Sequence, residues 1–223
     1  MKLLILITVF FILVCLIVFT RWTQPFLQAT ALYPVYRPLL NGRSVRITKQ
    51  FTDVCDNFNV SYGTVIDFGC GFGGISYQLS QSGSKVVSVD IAKQSVYPLD
   101  HFIQIEKGSK NYAKTIRPGV MEVSATGKVD CALSSYCFHH IPKAEHEGIL
   151  KDLFSFTSVL VLLEEHPRMN TLCRFVNGEV LTHANAHMTT EEWESHLSKM
   201  GYQVDVMPLN NNEFGIVIWS SSA

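Results

Sequence analysis

The sequence predicts an α/β domain, a parallel sheet covered on both faces, behind a single N-terminal transmembrane helix. Three observations carry that expectation. An uncharged apolar run opens the chain, "LLILITVFFILVCLIVFT" from Leu3 to Thr20. From Gly63 onward, short and nearly continuous apolar runs alternate with polar stretches of helical length, which is how strands buried on both faces read. Directly after the first of those runs, the stretch "VIDFGCGFGG" places four glycines within six residues. Boundaries follow: residues 1–21 as a transmembrane anchor, 22–62 as a juxtamembrane segment with an N-terminal helix, and 63–223 as the α/β domain.

The apolar run contains no charge, Pro or Gly, and at 1.5 Å per residue it nearly crosses a ~30 Å hydrocarbon layer. Trp22 stands where an interfacial anchor is expected. A cleaved signal peptide is the competing reading. Its apolar core would be unusually long, and the nearest small-x-small site, Ala29-Thr30-Ala31, lies well beyond the run. Only Lys2 precedes the run, whereas Arg21, Arg37, Arg43, Arg46 and Lys49 follow it. The positive-inside rule then makes this a single-pass membrane protein with its main domain in the cytoplasm. Six scattered cysteines without a CxxC pair agree with a reducing compartment.

Residues 21 to about 45 hold three of the eight prolines and show no helical or strand periodicity. In "SVRITKQFTDVCDNF", Val45, Ile47, Phe51, Val54 and Phe58 recur by threes and fours, which predicts a helix. The clearest strands are "TVIDFG", "KVVSVDI", "VDCALSS", "SVLVLLEE" and "FGIVIWS". Between Asp90 and Asp130 either "HFIQIE" or "VMEVSA" fits a third strand, and Pro98 and Pro118 argue against a long helix there. A net charge of −1 and a pI near 6.7 give no electrostatic footprint for nucleic acid.

A strand, a glycine turn and a helix in succession bring backbone N–H groups and a helix N-terminus to a nucleotide-like ligand. Gly69, Gly71 and Gly74 satisfy G-x-G-x-x-G, with Asp90 near the offset of a ribose-binding acid, so a dinucleotide is one reading. Asp67-x-Gly69-x-Gly71-x-Gly73 resembles instead the opening motif of class I S-adenosylmethionine (SAM) methyltransferases. SAM carries an ammonium and a cationic sulfur, so an acid beside the loop suits it. "VVSVDI" with Asp90, "VDCALSSYCFHHIP", "VLVLLEEHP" and "MTTEEWESHLSKMGYQVDVMPL" followed by "FGIVIWS" resemble the later segments of that family. The resemblance covers roughly Gly63 to Ser220.

It implies a Rossmann-like sheet of seven mostly parallel strands, helices on both faces, and a C-terminal antiparallel hairpin. It implies SAM as cofactor, held by Asp67, Gly69, Gly71, Gly73 and Asp90, with Ser134 and Ser135 beside them at the end of the fourth strand. No obvious acid or amide follows the third strand to hold the adenine, for which Ser109 and Ser124 are the candidates.

Methyl transfer is an in-line displacement that depends mainly on positioning, and a base is needed only when the acceptor must lose a proton. His139 and His140 are the candidate catalytic residues, since an imidazole titrates near neutrality, and packing of the loop is their alternative role. Tyr136 is a candidate for the cofactor pocket. Glu164, Glu165 and His166 after the fifth strand, with His183 and His187, mix ligand types that suit divalent metals, but their spacing matches no metal signature and no metal is expected. Cys70 reads as a loop filler, and Trp193 and Leu197 as core. The expected partners are a small lipophilic acceptor and, through the N-terminal helix, the lipid bilayer. A catalytically silent SAM-binding or tethered interaction module, and a nicotinamide-dependent reductase, are the alternative functions.

Overall fold

The computed structural model describes residues 33–91, 97–167 and 187–220. The apolar run of residues 3–20 lies outside them. Among the described residues no helix is long and apolar enough to cross a membrane.

Helix α1 spans Tyr33–Phe58, so the helix begins well before the periodic stretch, within the segment expected to be irregular. Pro34 falls in its first turn, where a missing N–H costs no intrahelical bond. Its inner face is Ile47, Phe51, Val54 and Cys55, all buried. Val45, expected on that face, is instead 53% exposed, because the 3.6-residue period carries position 44 inward and position 45 out.

The sheet follows: β1 (Thr64–Phe68), β2 (Lys85–Asp90), β3 (His101–Gln104), β4 (Cys131–Ser135), β5 (Val159–Glu165), β6 (Gln203–Pro208) and β7 (Glu213–Trp219), with α2 (Gly74–Gln81), α3 (Tyr112–Val123), α4 (Lys143–Phe154) and α5 (Thr190–Lys199) between them. The strand order is β3-β2-β1-β4-β5-β7-β6. Neighbours from β3 to β5 pair in parallel, and β7 runs antiparallel to both β5 and β6. The seven strands and the terminal hairpin agree with expectation. "HFIQ" is the third strand, and "VMEV" closes α3 with Pro118 inside the helix, contrary to the expectation that Pro118 would interrupt one.

Helices cover both faces. Phe51 and Val54 of α1 and Ile75 and Leu79 of α2 pack with Val65, Leu133 and Val161 on one face. Ile116 of α3, Leu150 of α4, and Trp193 and Leu197 of α5 pack with Ile66, Ala132 and Leu160 on the other. Successive residues of one strand, such as Val65 and Ile66, therefore feed different cores, which is why these strands read as continuous apolar runs. The polar exceptions, Asp67, Ser134 and Glu164, lie toward the carboxyl ends of the central strands and are buried.

Candidate active site

The strand order reverses direction at β1 and β4, and in open α/β sheets ligands bind outside the carboxyl ends of the strands at such a point. The glycine loop stands there. Gly69, Gly71 and Gly73 have φ of 77°, 54° and 80°, a left-handed backbone that side-chain-bearing residues adopt only at a cost. Their surroundings differ. A Cβ on Gly69 would overlap the Cys137 thiol, whereas one on Gly71 would meet nothing within 4 Å. Gly71 is thus the open face of the loop. Gly74, read as the third glycine of a dinucleotide fingerprint, serves helix packing, since its missing Cβ leaves room for Ser44 of α1.

The loop is fastened to β2. The N–H groups of Gly69 and Cys70 donate to the Val89 carbonyl at 2.8 and 3.1 Å, and the Gly71 N–H donates to Asp90 Oδ2 at 2.7 Å. Asp90 therefore ends β2 against the loop, as expected. Ile91, next along the chain, is 52% exposed and offers an apolar surface beside that carboxylate. Beneath the loop Asp67 is fully buried. Its Oδ2 accepts from the Ser76 hydroxyl of α2 at 2.6 Å, and its Oδ1 has no hydrogen-bond partner. Burial pushes the Asp67 carboxyl up to about 7, with Asp90 adding to the rise and Ser76 opposing it. An unsatisfied buried carboxylate oxygen favours a nearby positive charge.

Ser134 and Ser135 close β4, opposite Leu162 and Leu163 of β5, with Ser134 buried. Tyr136 leaves the strand at φ 50°, stabilised by its N–H donating to the Leu163 carbonyl at 2.8 Å. Its ring turns toward α1, where the hydroxyl donates to Gln50 Oε1 at 3.4 Å and the Arg43 guanidinium lies 5.7 Å from the ring centre. Arg46 and Gln50 both reach Glu213 of β7, so α1 is tied across the ligand end of the sheet.

The two candidate histidines differ in setting. Phe138–His140 form a 3₁₀ turn. In it His139 is buried, its Nδ1 2.6 Å from Glu164 Oε2, while Glu164 Oε1 accepts the Phe138 N–H at 3.0 Å. A carboxylate only accepts, so Nδ1 carries the hydrogen that bonds Glu164. His187 stacks on His139 at 4.4 Å between ring centres. His140 is half-buried beside it, without the Glu164 bond.

Glu164 and Glu165 are the last residues of β5 rather than part of a following loop. Among the described residues no group of three or more His, Cys, Asp and Glu is arranged to hold a metal; His183 lies outside them. Cys70 and Cys137 are free thiols. Burial raises both, Cys137 to about 12, so neither is a ready nucleophile.

Several residues were not visible as site residues in the sequence. Glu164 was weighed only as a metal ligand, and its pairing with His139 spans 25 positions. With β3 ending at Gln104, Glu106 is the acid just past the third strand at the ligand end. Ser109 lies in the same turn, where its hydroxyl accepts from the Asn111 N–H. Ser124 caps the C-terminal end of α3 and so stands at the end of the strands opposite the glycine loop. Knowledge of the strand boundary was the missing signal.

Residues 65–158 match the family model described as a methyltransferase domain. The chain is 24% identical over 203 residues to the chloroplastic magnesium protoporphyrin IX methyltransferase of Arabidopsis thaliana, covering 88% of this chain and 64% of that protein. The chain thus spans less than two thirds of that relative's length. Among solved structures, the SAM-bound magnesium protoporphyrin IX methyltransferase of Synechocystis superposes with a TM-score of 0.50 at 15% identity, covering 89% of this chain and 92% of that one. Human N-acetylserotonin methyltransferase with SAM gives 0.51 at 14% identity, over 86% and 59%. At these identities the structures establish the fold. The fold is that of these methyltransferases, and the family match places a methyltransferase-domain pattern on residues 65–158.

Proposed function

We propose that this chain is a SAM-dependent methyltransferase, which transfers a methyl group to a small lipophilic acceptor from the cytoplasmic side of a membrane, to which the apolar run of residues 3–20 anchors it. The observation that carries the cofactor reading is the loop itself. Three left-handed glycines, open at Gly71 and held by Asp90, lie over a buried Asp67 oxygen that lacks a partner. The residues present fit SAM better than a dinucleotide. An acid at Asp90 suits the ribose of either ligand, but a pyrophosphate at the loop would face the Asp67 carboxyl and find the Gly71 N–H already donated to Asp90, whereas an ammonium suits Asp67.

In this reading Asp90 accepts from the ribose hydroxyls, Ile91 gives the adenine an apolar face, and Glu106 accepts from its exocyclic amine. Asp67 supplies negative charge under the loop. Ser134 and Ser135 line the β4 side. Bound SAM supplies a methyl group on a cationic sulfur, already activated for displacement. The protein's remaining task is to hold the acceptor in line and to remove its proton. His139 is the base: Glu164 holds the Nδ1 hydrogen, leaving Nε2 to take a proton and stabilising the imidazolium that results. His140 and His187 flank that ring and shape the acceptor side. A buried His–Glu pair favours an acceptor that must lose a proton over a passive SAM-binding module.

The apolar run and Trp22 support delivery of the acceptor from the bilayer, and the chloroplast relative is named for a methyl acceptor of the small-molecule class, magnesium protoporphyrin IX. The experiment is calorimetric titration of the full chain in detergent with SAM, S-adenosylhomocysteine and NADH. Micromolar binding of the first two, lost in Asp90→Ala, supports the reading. Binding of NADH alone overturns it. SAM binding without methyl transfer into any lipid extract would favour the silent module.

A further inference from the structure

His146 lies outside the residues considered so far, and it is completely buried. It sits in the first half of α4 (Lys143–Phe154). Its Nε2 lies 3.2 Å from the Phe138 carbonyl and 3.1 Å from the Ile141 carbonyl. Carbonyl oxygens only accept, so Nε2 carries the hydrogen and bridges the two. These carbonyls bracket the 3₁₀ turn that presents His139. The opposite side of the turn is held by Glu164, through the Phe138 N–H and His139 Nδ1. The turn is thus gripped from β5 on one side and from α4 on the other.

The second nitrogen of His146 fixes the assignment. Nδ1 must be the acceptor in the neutral ring, and His196 Nε2 of α5 stands 3.1 Å away as its donor. Desolvation holds the His146 imidazole down to about 4, so it stays neutral and keeps this pattern at physiological pH. The ring is further clamped by Trp193 of α5, parallel within 5° at 5.5 Å, and by Phe138 edge-on at 5.2 Å.

We infer that the His196–His146 pair is a positioning device, fixing the turn that presents His139 and coupling its orientation to the docking of α5. The inference rests on the reading of His139 as the base. A buried histidine with both nitrogens in defined roles is more than a space-filler, since a phenyl ring would fill the same volume without either bond. His196 donates toward the turn through one intermediate ring, so its removal acts at a distance of two hydrogen bonds.

The test reads His139 directly, without an acceptor. The full chain, labelled with ¹⁵N-histidine in detergent micelles, is followed by NMR, with His139 signals assigned from the His139→Gln variant. In the wild type the His139 Nδ1–H, bonded to Glu164, is expected to resonate far downfield and to exchange slowly. His146→Phe and His196→Leu are each expected to speed that exchange by roughly tenfold or more. His146→Gln, whose amide can donate to the same carbonyls, is expected to restore slow exchange. SAM affinity, measured in parallel, should stay within about twofold of wild type in the His146 and His196 variants, since neither residue touches the glycine loop. Unchanged His139 exchange in a folded His146→Phe or His196→Leu variant overturns the inference. Should His146→Phe fail to fold, the half-exposed His196 decides the outcome alone. Failure of the wild type to bind SAM would sink the methyltransferase reading while leaving this result interpretable.

Discussion

The two halves of the ligand end are built in different ways. On the β1–β2 side the binding surface is backbone: three glycines at positive φ, N–H groups facing Val89 and Asp90, and contacts spanning at most 20 residues of sequence. On the β4–β5 side the surface is side chains brought from afar. His139 and Glu164 are 25 residues apart, Tyr136 and Gln50 86, and Arg46 and Glu213 167. A backbone-built site tolerates change in most side chains but not in its glycines. A site built from side chains depends on each one, and on the packing that delivers it. The first half suits a cofactor of constant shape, and the second an acceptor that differs from enzyme to enzyme.

Substitutions can break or sharpen this contrast. The largest expected effect is at Asp67. A carboxyl with an unfolded value of 3.8 and a folded value of about 7 binds its proton more tightly in the folded state, so stability falls as pH rises from about 4 to about 7 and levels off above. At ~1.4 kcal/mol per pH unit the full effect is on the order of 4 kcal/mol. Asp67→Asn should abolish that slope and raise the melting temperature of the ligand-free protein above pH 7, while weakening SAM binding. A melting curve with an unchanged pH slope would show that Asp67 does not titrate there.

Asp90→Ala comes next. If Asp90 holds the ribose hydroxyls as proposed, losing those charge-assisted bonds together with the Gly71 tether should cost about 3 kcal/mol, roughly 100-fold in affinity, as read by calorimetry. Glu164→Gln should act on the other half alone. It leaves SAM affinity unchanged within about twofold and slows methyl transfer into lipid extract by between tenfold and 100-fold, roughly the contribution of a general base. Equal losses in binding and rate would merge the two halves into one unit. The smallest effect belongs to Glu213→Gln, which removes the ion pair to Arg46. With the Arg46 side chain 48% exposed, the cost is about 1 kcal/mol or less, a fall of about 2–4 °C in thermal melting.

The same contrast explains how far the sequence was legible. Gly69 to Gly73 and Asp90 stood out because a nucleotide-like ligand leaves its mark in consecutive residues, through turn geometry. Strands buried on both faces were visible as apolar runs, and the hairpin through the Gly201-Tyr202 turn. The His139 turn was noticed, but its partner Glu164 was weighed only for metal binding, which the spacing did not support, and not as a partner of that histidine. Nothing in a one-dimensional pattern says that the ends of β4 and β5 are adjacent. His146 and His196 were invisible for the same reason: a polar pair joining two helices looks, in sequence, like two helical surface residues. The early start of α1 was missed because Pro34 and Pro38 break its periodicity in the sequence, and the third strand stayed undecided between two stretches because His101–Gln104 is the edge strand of the sheet and is only partly buried.

Ser44 rests where the side chain of residue 74 would begin, and that contact has a consequence for how such chains can diverge. Two helices in contact at this depth leave room for one small side chain between them. Any lineage that places alanine at 74 must first reduce 44 to glycine or shift α1, and the reverse order passes through a clash at the mouth of the cofactor loop. Positions 44 and 74 should therefore drift as a pair, and their joint identity, read across many related chains, would mark those in which this helix lies over the loop.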